Sequence, residues 1–202
     1  MRLSRTLIAL AMALPLGACA SMLFGKSEPA QLYRFGAQPA STTIMASGGL
    51  RPAVLLGPID FLEAAQSDRL MTVTGGQVAY IKDARWASPA EILFDEAVAR
   101  KFSGAGRVRL IQRGEVAKAD YVLKLDVRSF ETRYAYAEAV PEVAVEVRAL
   151  LTSNEDRAVI GERVFAATVP AAGNRVGAIV PAYDQAVDSV LSEIHGWVNS
   201  SR

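Results

Sequence analysis

This chain of 202 residues has one cysteine and one histidine. A single thiol excludes disulfide bonds within the chain, so the fold stands on its apolar core alone. It also excludes zinc sites built from clustered Cys and His, which need several such ligands. The lone His195 lies beside the apolar stripe of a C-terminal helix and reads as a partly packed or solvated side chain. Ser-His-Asp catalysis would have to use it, and no Gly-x-Ser-x-Gly elbow is present to supply the nucleophile. Charge of one sign is lacking too: 22 Lys+Arg stand against 21 Asp+Glu. That balance gives no field for nucleic acid, and no basic stripe or zinc-finger spacing suggests it. Gly48-Gly49 and Gly104-Ala105-Gly106 lack the lysine and serine of a phosphate-binding loop. Carboxylate neighbours that could suggest a glycosidase, Asp95-Glu96 and Glu155-Asp156, fall on a helix surface and in a turn, where solvated charges are expected. No apolar run is long enough to cross a bilayer, which takes about 20 residues.

What is present begins with the cysteine's place. Arg2 and Arg5 precede an uncharged run from Thr6 to Pro15, and Leu16-Gly17-Ala18-Cys19 follows. A basic start, a short apolar stretch and small residues at the end make a secretory signal. Leu-Gly-Ala-Cys resembles the bacterial lipobox. There the thiol accepts a diacylglycerol, the peptide is cut before the cysteine, and the new amino group is acylated. Cys19 is therefore the expected lipidation site, residues 1–18 the signal and 19–30 the acylated start and tether. Ala20 follows, not the aspartate that retains many lipoproteins at the inner membrane, so the outer membrane is the expected address. Removing residues 1–18 leaves 184, with 20 basic and 21 acidic side chains. That length suits one domain, 31–202.

The expected fold class is α/β: one mixed, largely antiparallel sheet with two main amphipathic helices packed on it. Strands are expected at 31–35, 52–56, 70–74, 77–81, 108–111, 121–130, 142–151 and 159–169. Gly57-Pro58 should end the second, and 59–65 is ambiguous between turn and helix. Gly75-Gly76 marks a tight hairpin with positive φ expected at both glycines. The last three strands should form an antiparallel meander, turning at Asn154-Glu155-Asp156. Ser88 and Glu91 suggest a capping box with Pro89 at the first helical position. Ala90, Leu93, Phe94, Ala97, Val98 and Phe102 give that helix its apolar face. A final helix is expected over 182–198, with Pro181 in its first turn. Region 37–51 reads as a loop. Phe130, Tyr134 and Tyr136 form an aromatic group readable as hairpin packing or as a contact patch for a partner or lipid. Trp86 reads as a wedge between helix and sheet.

The order Tyr33, Val54-Leu55-Leu56-Gly57-Pro58, Asp68-Arg69, Met71-Thr72-Val73, Tyr80, Arg85-Trp86-Ala87, Ala119-Asp120-Tyr121-Val122-Leu123 and Phe130, joined to the lipobox, resembles the ABC-type transport auxiliary lipoproteins. These are lipoprotein partners of MCE-type lipid transporters, Pqi-type lipoproteins among them. The resemblance implies a non-catalytic component facing the periplasm from the outer membrane, with no cofactor. Its implied partners are an MCE-domain protein and, through the acyl chains, the membrane; self-association is left open. A carrier of an apolar ligand is the alternative, and a deep apolar pocket would favour it.

Overall fold

The computed structural model describes residues 29–36, 51–103, 106–111 and 115–201. The chain divides into two compact units, Met1–Ala30 and Gln31–Arg202. The fold below is that of the second. The signal segment, Cys19 and nearly all of the tether lie outside the described residues, as does most of the loop read at 37–51.

Among the described residues, eight strands form one mixed sheet, and two helices accompany it. In chain order they are β1 (Gln31–Tyr33), β2 (Ala53–Phe61), β3 (Arg69–Thr74), β4 (Gln77–Trp86), α1 (Ala90–Phe102), β5 (Arg109–Leu110), β6 (Tyr121–Tyr134), β7 (Glu142–Ser153), β8 (Val159–Pro170) and α2 (Val176–Ser200).

β6 is the spine. Along one edge β7 pairs with it antiparallel from Tyr121 to Arg133, and β8 pairs antiparallel with β7. This is the meander that the alternating apolar residues specify. The other edge is shared. β2 lies parallel to Tyr121–Val127, and β3 lies parallel to Thr132–Tyr134. β4 folds back antiparallel on β3, β1 adds parallel to β4, and β5 adds parallel to β2.

One sheet face is apolar and carries the helices. Leu123, Leu125 and Val127 of β6, with Val143, Val145, Val147, Ala149 and Leu151 of β7, are buried there in one core with both helices. The other face carries Lys124, Asp126, Arg148 and Glu162, with Arg148 Nε donating to Glu162 Oε1 at 2.6 Å. The period-2 alternation decides which side chains meet the helices.

Four local features differ from the sequence reading. β2 does not stop at Gly57-Pro58; it runs on to Phe61, with its register shifting between Leu56 and Ile59. Proline, lacking an N–H, is tolerated at such an irregularity. In the hairpin only Gly75 takes positive φ, at 59°.

The third difference concerns α1, which has no Ser88 cap. Pro89 holds the cap position, and no side chain bonds there. Main-chain carbonyls of the loop after β2 take that role: the Ala90 N–H donates to Ser67 O at 3.0 Å and the Glu91 N–H to Gln66 O at 3.5 Å. Free N–H groups at a helix start accept any well-placed oxygen, and here the tertiary structure supplies it.

The fourth is that α2 begins six residues before Ala182, so Pro181 lies inside it. Ala178, Ile179 and Val180 are buried, which holds that added turn against the core.

Candidate functional site

The aromatic group read from the sequence splits into an interior part and a surface part. Phe130 is 1% exposed. Its ring lies 4.9 Å from Tyr183, 5.1 Å from Phe35, 5.3 Å from Phe61, 6.4 Å from Trp86 and 6.5 Å from Phe94. It is the hub of the core, and this corrects its reading as a surface contact. The cause is a register shift in β6 between Val127 and Ser129. Strict alternation from Leu123, Leu125 and Val127 would send residue 130 to the polar face. One extra residue at the bulge returns Phe130 and Thr132 to the helix side. Trp86 is buried as expected, edge-on to Phe35 and Tyr183 at 5.0 and 5.1 Å.

Thr132 is fully buried and meets the Tyr183 hydroxyl at 3.2 Å. Burial pushes the Tyr183 phenol well above its ordinary 10, and the Thr132 hydroxyl only partly offsets this. The pair satisfies two polar atoms inside an apolar cluster. A neutral, inaccessible phenol of this kind fits packing and not proton transfer.

Tyr134 and Tyr136 lie at the end of the β6–β7 hairpin. Tyr134 is half-buried and donates to Asn174 Oδ1 at 3.0 Å. Burial raises its phenol pKa. Tyr136 is 66% exposed and Val140 61%. Their loop is held at two points: Ala139 N–H donates to Tyr136 O, and Ala171 N–H to Pro141 O, each at 2.9 Å.

His195 packs edge-on against Phe102 at 5.0 Å. Its Nε2 is buried without a hydrogen-bond partner. Burial first, then the Lys101 ammonium, hold its pKa below the ordinary 6.5. One turn on, Asn199 ties this end of α2 to the start of β5. Its Oδ1 accepts from the N–H groups of Arg107 and Val108, and its Nδ2 donates to His195 O. Gly106 leaves room for that clamp, since a Cβ there would stand 2.9 Å from Asn199 Oδ1 and 3.0 Å from His195 Nε2 and displace them. The sequence offered no signal for it, because the clamp joins residues about ninety positions apart.

An open depression of about 620 Å³ runs along the outer side of α2. Pro181, Asp184, Gln185, Asp188, Ser189, Ser192 and Glu193 line it. Asp184 accepts from the Gly36 N–H, and Asp188 pairs with Lys101 at 2.8 Å. Burial raises the Asp184 carboxyl pKa, and the Gly36 N–H opposes that shift. It lies open to solvent, its side chains mostly polar at their tips and apolar along their stems. Among the described residues, no three His, Cys, Asp or Glu side chains stand together as a metal site.

The architecture is thus a helix-backed mixed sheet whose buried polar groups serve packing. A family model described as the ABC-type transport auxiliary lipoprotein component matches residues 33–195, and the chain belongs to that family. It is a family of auxiliary transport lipoproteins. Solved structures share the fold. Protein XCC0632 from Xanthomonas campestris is 24% identical, with a TM-score of 0.64 over 86% of this chain and 88% of its own. An uncharacterised protein at 14% identity gives 0.66 over 85% and 99%. The hypothetical protein CT253 from Chlamydia trachomatis, at 11%, gives 0.51 over 74% and 98%. No curated protein matches the chain.

Proposed function

We propose that this protein is an outer-membrane-anchored, periplasm-facing lipoprotein that completes an ABC/MCE-type lipid transport system by docking. The observation that carries the reading is the lipobox Leu16-Gly17-Ala18-Cys19 directly ahead of a domain of the auxiliary lipoprotein family. Acylation at Cys19 fixes one end of the chain to the membrane. Each buried CH₂ contributes about 0.8 kcal/mol, and several chains together anchor firmly where a single one would exchange. Ala20 supports the outer-membrane address. The folded domain then presents a surface to an MCE-domain protein, while ATP hydrolysis and membrane passage belong to other subunits.

The test is affinity capture of the tagged, full-length protein from cross-linked envelopes, read by mass spectrometry. Recovery of an MCE-domain protein with its permease is expected. Capture that reproducibly returns neither would sink the docking reading.

A further inference from the structure

Strand direction sets the end of the sheet at which β1 begins. Thr74 of β3 lies opposite Tyr134 of β6, and Gly75-Gly76 then turns the chain into β4. That turn and the β6–β7 loop 135–141 therefore share one end of the sheet. Exposed at this end are Val78, Tyr136 and Val140. β4 runs away from it, and β1 is parallel to β4, with Gln31 opposite Ala84 and Tyr33 opposite Trp86. β1 therefore begins on the side of Tyr136 and Val140 and runs away from them.

The distances agree. Arg69 pairs with Arg85, which sets Gln31 about four residue positions from the Thr74 level. At about 3.3 Å per residue that is roughly 13 Å. The opposite end, where β6 begins at Tyr121, is nine positions away, or about 30 Å. The near end is thus the closer of the two to the point where β1 begins. Eleven residues separate Cys19 from Gln31.

We infer that the β6–β7 loop, through Tyr136 and Val140, rests in the lipid headgroup layer as a second contact beside the acyl anchor. Tyrosine suits that layer, with an apolar ring and a polar hydroxyl. No basic excess stands there: Arg133 is paired with Glu131, and exposed Arg175 is outnumbered by exposed Glu138 and Glu142. The contact is therefore with the interface itself and not with anionic lipid specifically. Val116 and Val159 are exposed at the far end, and they face away from the bilayer in this orientation. The inference rests on acylation of Cys19.

The test uses the full-length protein, purified from membranes and reconstituted into phosphatidylethanolamine–phosphatidylglycerol vesicles. Tyr136→Cys and Val159→Cys variants are labelled with a thiol-reactive fluorophore; both positions are exposed, so the fold should survive. The expected result is several-fold weaker quenching by aqueous iodide at 136 than at 159, with quenching by lipid-borne nitroxide at 136 alone. Equal iodide access at the two positions overturns the inference. So does lipid quenching at 159, or shielding at 136 without lipid quenching, which would mark a protein contact. The unsubstituted chain separates the two claims. If Cys19 takes the label and the protein fails to float with vesicles, the anchor reading itself falls.

Discussion

Phe130 and Tyr136 stand six residues apart and belong to different worlds. One is the hub of five rings, and the other faces solvent. Phe130→Ala should cost about 3–5 kcal/mol, the usual range for an aromatic removed from a core. Tyr136→Ala should stay within about 0.5 kcal/mol. Urea denaturation followed by circular dichroism distinguishes them, and equal losses would contradict this assignment. His195 makes the second prediction. The unfolded imidazole protonates near 6.5, whereas the folded one, held low by burial and Lys101, protonates only at lower pH. Between those points the unfolded chain binds the extra proton, so stability is complete above pH 6.5 and falls as pH drops through the folded value. Thermal midpoints from pH 8 to 5 should show this step in the wild type and lose it in His195→Gln. A step that persists in the variant would assign it to another group.

At the scale of elements, the strands and helices were largely legible because apolar spacing marks them. The β6–β7–β8 meander follows from alternation, and α1 from Ala90, Leu93, Phe94, Ala97, Val98 and Phe102 at helical intervals. What was not legible depends on distant neighbours. Ser88 looks like a cap by local chemistry, yet carbonyls of Gln66 and Ser67 reach the helix start first. Ser88→Ala should therefore change stability by no more than about 0.5 kcal/mol, where a true cap would cost about 1 kcal/mol. A loss of the larger size in denaturant titration would restore the local reading. Pro181 misled in the same way: it looks like a helix start, but the buried turn Ala178–Val180 extends α2 ahead of it. The aromatic patch was half legible for a related reason. Tyr136 lies where strand alternation ends, while a single bulge in β6, silent in the sequence, turned Phe130 inward.

At the scale of the molecule, the domain should fold without its anchor, since Cys19 lies outside the unit Gln31–Arg202. Cys19→Ala should keep the wild-type circular dichroism spectrum and lose outer-membrane fractionation. Normal fractionation of that variant would overturn the anchoring role. The split edge of β6 carries a last consequence, for the order of events during export. β2 and β3 must pair with a strand about sixty positions further along the chain. Contacts of such long sequence separation form slowly. A chain delivered N-terminus first exposes β1 through β4 before their partner has crossed. Their unpaired edges then await β6, which is followed directly by the locally paired β7 and β8. With the anchoring proposed above, the start of the protein would be committed to the membrane while its first half is still unfolded, and the meander, arriving last, would close the sheet.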